Sequence, residues 1–267
     1  MKYKIGFIGT GVMGGALAKA VRQKCESVLL SNKTEAKAAA LAKELGCRHG
    51  DNAAVASLCE YIVLAVKPQV MFSVLEEIRP VLQSRTDRFV IISIAAGITV
   101  RSVKEALGAD VPVIRLMPNT PVAVGEGVIL CSFDGCSEEE KTEFFGLFEK
   151  AGFCDEIKEE LIDAAGSLTG CGPAFAYMVM QALADGAVAV GVDRARATKY
   201  AEMTLKGAAE LALKTGEHPE KLKDAVCSPG GSTIEGVEVL EKYSVRSAFA
   251  EAVKASCEKN KKLGKKQ

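Results

Sequence analysis

The chain has 267 residues, enough for one large domain or two ordinary ones. Lys plus Arg equals Asp plus Glu at 34 each, so nothing in the charge balance calls for nucleic acid or a membrane surface as partner. Nine scattered cysteines without a C-x-x-C and only two histidines argue against a disulfide framework, a metal site and a Ser-His-Asp triad, and suit a reducing cytoplasm.

Met1-Lys2-Tyr3-Lys4 leads straight into an apolar run, with nothing that resembles a cleavage site. The first half then alternates strands and helices. Strands are expected at 4–8, 28–30, 61–66, 90–94, 113–117 and 127–131, with a last one at 153–157. Helices are expected at 14–24, 34–45, 70–82, 100–107 and 138–151. Apolar strands joined by helices predict an α/β, Rossmann-like, doubly wound parallel sheet covered on both faces. From Glu159 the strand signals vanish and an Ala-rich helical pattern takes over, so the expected domains are residues 1–158 and an all-helical 159–267. The stretch 164–184 carries no charge, but Gly166, Gly170, Gly172 and Pro173 interrupt it, which argues against a membrane span. Gly172-Pro173 reads as a helix start, followed by a helix apolar on nearly all faces. Such a helix should be buried, and a hundred residues of helices can hardly bury it alone, so subunit pairing is expected. Lys259 to Lys262 and Lys265-Lys266 form a basic tail, read as a solvated end.

The motif Gly9-Thr10-Gly11-Val12-Met13-Gly14 follows the run Ile5 to Ile8 and opens a helix. In that context Gly9 permits a tight turn, Gly11 lets the backbone approach a pyrophosphate, and Gly14 lets helix and strand pack closely. The helix start then offers free N–H groups to an anion. After the second strand the chain reads Ser31-Asn32-Lys33. An Asp or Glu there would bind ribose hydroxyls and repel a 2′-phosphate. Its absence favours NADP, with NADPH preferred and room left for NADH.

Three further loops belong to the same chemistry. Ala65-Val66-Lys67-Pro68 ends one strand and Ile94-Ala95-Ala96 another, with small residues where a nicotinamide would need close approach. Arg115-Leu116-Met117-Pro118-Asn119-Thr120-Pro121 is a stiff turn whose prolines help to position Asn119 and Thr120. Cys227-Ser228-Pro229-Gly230-Gly231-Ser232-Thr233 precedes a helix at 234–242 and presents N–H groups and hydroxyls to an anion such as a carboxylate. Ser232 and Thr233 are also good helix caps, and the two uses draw on the same N–H groups.

These segments, with Gly170-Cys171-Gly172-Pro173-Ala174-Phe175, resemble Δ1-pyrroline-5-carboxylate reductases in order and spacing over essentially the whole chain. The resemblance implies hydride transfer from NADPH to a small-molecule substrate, the cyclic imine, giving L-proline. It places the cofactor against Ile8, Gly9, Thr10, Gly11, Val12, Met13 and Gly14, against Ser31, Asn32, Lys33 and Asn52, and against Ala65, Val66, Lys67, Pro68, Ile94, Ala95, Ala96 and Asn119. It also implies a homodimer through the C-terminal helices, with the substrate where the two domains of the dimer meet, and dimers assembled into a ring such as a decamer. Ser228, Gly230, Gly231, Ser232 and Thr233 would hold the carboxylate, with Thr233 on the ring nitrogen as the catalytic residue and Glu159 a further substrate contact. Cys171 stands where Ser is usual, and Ser232 where Thr or Ala is common. A protonated imine is already electrophilic, so the chemistry needs positioning more than a strong base, in keeping with the poor histidine inventory. Two other readings share parts of this pattern. A β-hydroxyacid dehydrogenase would place a lysine on the long helix, and none occurs from Asp163 through Arg194. A non-catalytic NADP-binding sensor would have no need of the anion loop.

Overall fold

The computed structural model describes residues 2–264; Met1 and the end of the predicted basic tail, Lys265-Lys266, lie outside them. In chain order the first elements are β1 (Tyr3–Ile8), α1 (Val12–Arg22), β2 (Val28–Ser31), α2 (Glu35–Leu45), β3 (Arg48–His49), α3 (Asn52–Leu58), β4 (Cys59–Leu64) and α4 (Pro68–Gln83). Then come β5 (Val90–Ser93), α5 (Val100–Leu107), β6 (Val113–Pro118), β7 (Gly127–Asp134), α6 (Glu138–Phe148), β8 (Gly152–Glu156) and α7 (Glu159–Thr169). The helical remainder is α8 (Gly172–Ala189), α9 (Arg194–Thr215), α10 (Pro219–Val226), α11 (Ser232–Lys242) and α12 (Val245–Gly264).

The strands form one eight-stranded sheet in the order β3-β2-β1-β4-β5-β6-β7-β8. Chain order reverses between β1 and β4, the kind of switch point where strand ends diverge and leave a crevice for ligands. Neighbouring residues on each strand serve opposite faces. Phe7, Leu30, Val63 and Ile92 join one core with Leu17, Phe144 and Phe148. Ile8, Leu29, Ile62 and Ile91 join the other with Met71, Leu75 and Val103. Burial on both sides is why these strands read as continuous apolar runs rather than alternating ones.

Three departures from the sequence reading have physical causes. The sheet is mixed rather than parallel throughout: β7 runs antiparallel to β6, and β8 is parallel to β7. The link from β6 to β7 is a short 3-10 turn at Thr120–Val124, and a parallel return needs a longer crossover. Between α2 and β4 lie β3 and α3, which the sequence reading left without structure; Asp51 caps α3, its Oδ1 accepting the Ala54 N–H at 2.7 Å. The expected helix at 138–151 keeps α geometry only to Phe148 and tightens to a 3-10 turn over Glu149–Ala151, before Gly152 at φ 133°.

The chain divides into two compact units, one running to Cys171 and including the end from Ser256, the other Gly172–Ala255. The change of sequence pattern at Glu159 falls before this division, because α7 lies within the first unit against β6 and β7, where Gly166 meets Met117. In the second unit α8 and α9 share a small core of Ala184, Ala197 and Ala201. The expectation that α8 is buried is not met within one chain: Ala184 is its only buried residue, while Tyr177 and Met178 are 58% and 72% exposed. No helix among the described residues is long and apolar enough to cross a membrane.

Candidate active site

The glycine motif forms the tight turn from β1 into α1 at the switch point. Gly9 adopts φ +104°, and a Cβ there would come within 2.4 Å of the Ala65 carbonyl oxygen. A Cβ on Gly14 would meet the Gly9 oxygen at 2.2 Å and the Ala65 Cβ at 2.7 Å. Both glycines are therefore fixed by packing of the turn against the end of β4, with Ala65 beneath them. Gly11 differs: a Cβ there would meet nothing within 4 Å. It is the N-cap of α1, and no side chain caps that helix start. The backbone at Gly11, Val12 and Met13 thus faces open space with orphan N–H groups, the requirement for close approach of an anion. Beside it, the Thr10 N–H donates to Asn32 Oδ1 at 3.1 Å, while Thr10 Oγ1 is buried without a partner in the protein.

A cavity of about 470 Å³ opens beside this turn. Ile8 and Gly9 from β1, Ser31 to Lys33 from β2, Asp51 and Asn52 from α3, Val66, and one face of α4 line it. Its polar groups form a directed relay. Buried Ser31 donates through Oγ to Asn52 Oδ1 at 2.6 Å, and Asn52 Nδ2 donates to Glu77 Oε2 at 2.9 Å. Lys33 is exposed and makes no ion pair among the described residues. The fold sets Asn52 and Ser31, both expected cofactor contacts, side by side, and adds two carboxylates that the sequence does not single out, Asp51 and Glu77. They reach the β2 edge from the α3 cap and from α4, distant in sequence. The available signal was helical spacing: Val70, Ser73, Val74 and Glu77 recur on one face of a helix that begins at Pro68.

The loops after β4 and β5 supply small surfaces. Lys67 is the N-cap of α4 without a side-chain cap bond, and Pro68 is its first residue. Ile94 donates its N–H to the Leu64 oxygen at 3.3 Å, Ala95 is buried, and Ala96 is exposed. Ser93 Oγ is a second buried hydroxyl without a partner in the protein. Two expected contact residues have side chains engaged elsewhere. Asn119 donates through Nδ2 to the Thr169 oxygen at 2.9 Å and accepts the Val128 N–H on Oδ1 at 2.8 Å, which ties α7 to β7. Glu159 Oε1 accepts the Val100 N–H at 2.8 Å and lies 3.4 Å from Arg115, a buried arginine that also pairs with Asp163 at 2.6 Å. Both serve the sheet unit as braces.

In the second unit, Gly230 at φ +66° turns the chain, and the Gly231 N–H donates to the Ser228 oxygen at 3.0 Å. A Cβ on Gly231 would crowd the Ser228 Oγ, which would have to rotate away, and would lie 3.1 Å from the Ser228 oxygen, so the turn is tight here while the positive φ that favours glycine is at Gly230. Gly231 is the N-cap of α11 and makes no side-chain cap bond. The helix starts at Ser232, two residues before the expected Ile234, and this resolves the two uses of its hydroxyls. Ser232 and Thr233 lie inside the first turn, exposed, and neither caps it. The orphan N–H groups and both hydroxyls remain available to an anion. Elsewhere, burial pushes the Cys59 thiol up to about 12 and Cys154 up to about 11, so neither offers a thiolate near neutral pH.

Residues 159–263 match the family model described as pyrroline-5-carboxylate reductase dimerisation, and residues 4–97 the one described as NADP oxidoreductase, coenzyme F420-dependent. A pyrroline-5-carboxylate reductase of Methanosarcina acetivorans is 39% identical over 98% of both chains. The Escherichia coli enzyme of that name is 38% identical over 99% of this chain and all of its own. Among solved structures, Plasmodium falciparum pyrroline carboxylate reductase with NADP bound superposes with a TM-score of 0.86 at 33% identity, covering 98% of each chain. The Coxiella burnetii pyrroline-5-carboxylate reductase gives 0.90 at 28% identity, covering 98% of this chain and 99% of that one. With full-length relatives at this identity, the chain belongs to the pyrroline-5-carboxylate reductase family.

Proposed function

We propose that this protein reduces Δ1-pyrroline-5-carboxylate to L-proline, with NADPH as the preferred reductant. The observation that carries the reading is the pairing of an uncapped glycine cradle at the sheet's switch point with an uncapped, glycine-turned helix start at Ser228 to Thr233, in a chain 39% identical to a reductase of that name. The cradle fits a dinucleotide: Gly11 leaves open space where a pyrophosphate would lie, and the buried hydroxyls of Thr10 and Ser93 lack protein partners. When bound, NADPH supplies the hydride. The chain's own residues position and neutralise. Val12 and Met13 N–H groups face the pyrophosphate, Ser31, Asn32, Lys33 and Asn52 the ribose end, and Ala65 to Pro68 with Ile94 to Ala96 the remainder.

At the other partner, the loop Ser228, Gly230, Gly231 and Ser232 holds the substrate carboxylate on its N–H groups. Thr233 Oγ1 hydrogen-bonds the ring nitrogen and fixes which carbon faces the donor. Orientation of this kind, with charge placed in advance, is sufficient for an already electrophilic imine. Glu159 and Asn119 act at one remove, by bracing β6, β7 and α7. Pairing through the C-terminal helices, and assembly of the pairs into a larger ring such as a decamer, is supported by the apolar residues that the second unit leaves exposed. Nine free thiols support a reducing cytoplasm as the compartment.

The test is oxidation of NADPH by folded protein on addition of pyrroline-5-carboxylate, with NADH in parallel. Saturable turnover favouring NADPH is expected. Turnover with NADH alone would keep the reaction and overturn the cofactor preference. Binding of NADPH without turnover would move the chain to a sensor role.

A further inference from the structure

We propose that Glu77 sets how strongly this protein discriminates between NADP and NAD, acting through Asn52 on the proton of Ser31. The inference rests on the dinucleotide reading above, and Glu77 is a positioning residue in it. The three side chains lie in series along the cavity at the end of β2. A carboxylate at neutral pH accepts hydrogen bonds and donates none. Glu77 Oε2, at 2.9 Å from Asn52 Nδ2, therefore fixes the Asn52 amide with its N–H toward α4 and its oxygen toward β2. That oxygen lies 2.6 Å from Ser31 Oγ, so the hydroxyl proton must point at Asn52. Toward the cavity, Ser31 Oγ is left with lone pairs only.

An acceptor at this place suits the 2′-hydroxyl of a ribose, which can donate to it. It opposes a 2′-phosphate, whose oxygens are almost entirely acceptors at neutral pH. The relay thus holds down the preference for the phosphorylated cofactor that the exposed Lys33 would otherwise favour. A glutamine at position 77 has the same shape and can donate. Its amide N–H can bond Asn52 Oδ1, the Asn52 amide reverses, and its N–H then bonds Ser31 Oγ. The Ser31 proton is released toward the cavity, where a 2′-phosphate can accept it. Glu77 is exposed and makes no ion pair among the described residues, so the substitution leaves the core untouched.

The experiment is calorimetric titration of the full-length protein with NADP+ and with NAD+, without substrate, for wild type, Glu77→Gln, Ser31→Ala and the double variant, with melting temperatures as a check on folding. Glu77→Gln is expected to raise the ratio of NADP+ to NAD+ affinity about tenfold, the scale of one hydrogen bond to a charged group. In the Ser31→Ala background the same change is expected to give about twofold, the part owed to removing a nearby charge in water. An unchanged ratio for Glu77→Gln would overturn the proposal. So would an equal tenfold gain without the Ser31 hydroxyl, since charge alone would then account for it. Wild-type protein that binds neither dinucleotide would instead remove the cofactor reading itself, and the inference with it.

Discussion

The sheet unit closes over its own core, and the second unit does not. Phe7, Phe144 and Phe148 are completely buried between sheet and helices. Across α8 to α11, only Ala184, Ala197 and Ala201 are buried. Leu213, Val190 and Tyr243 are 81%, 82% and 72% exposed. Both regions are rich in apolar residues, so the difference lies in where the covering surface comes from. A doubly wound sheet covers itself with the helices of its own crossovers. Helices made of small residues and methionine leave large apolar area uncovered, and that area calls for a second surface.

The comparison is broken most directly by emptying the closed core. Phe144→Ala removes a ring packed edge-on against Phe133 and Phe145 and tilted against Phe148, and is expected to cost roughly 3–5 kcal/mol of unfolding free energy in urea titrations. A loss below about 1 kcal/mol would mean that this core is not what holds the sheet unit. Met178→Asp places a charge on the uncovered face of α8. If that face pairs two copies, the dimer dissociation constant should rise at least about 100-fold by sedimentation, with the sheet unit still folded. Unchanged association would move the pairing surface elsewhere.

A smaller effect tests the exposed start of α11. Thr233→Ala is expected to lower kcat by roughly 10- to 1000-fold while leaving dinucleotide affinity alone. A variant within twofold of wild type would remove Thr233 from the chemistry. The smallest effect belongs to the sheet unit. Burial, and then its bond to Glu143, hold the Tyr61 phenol well above its ordinary range near 10. Because the folded value is the higher one, the stabilisation is complete below about pH 10 and is lost as pH rises further and the unfolded chain ionises. Tyr61→Phe should cost about 1 kcal/mol at neutral pH and remove an alkaline slope of about 1.4 kcal/mol per pH unit. An alkaline slope left undiminished by the substitution, beyond the part that the buried thiols contribute, would place the titrating group elsewhere.

Much of the sheet was legible because parallel strands buried on both faces are unbroken apolar runs, and α5 is found at the expected 100–107. What was lost was short or set by partners distant in sequence. β3 spans two exposed polar residues and has no periodicity to read. α3 has a single turn signal, Asp51. The direction of β7 could have been inferred from the brevity of the 119–126 link, which is too short for a crossover. At the site, motif glycines and Ser31 were legible because their chemistry is local. Asn119 and Glu159 sit in suggestive stretches, yet their side chains are turned to bracing by Thr169, Val128, Val100 and Arg115, none of which the sequence places beside them. Glu77 escaped notice for the converse reason: it stands in an ordinary amphipathic helix, and only the fold carries it to the end of β2.

The three glycines of one motif also have a meaning for genetics. Alanine at 9 or 14 strikes backbone atoms of the turn, whereas alanine at 11 enters open space. The first two are expected to behave as loss-of-protein alleles, with soluble product falling. An allele at 11 should instead yield a normal amount of folded subunit that binds dinucleotide poorly and still joins wild-type copies, so in a mixed population it would act as a dominant rather than a recessive lesion. Immunoblots of soluble extract that fail to separate the three would contradict this division.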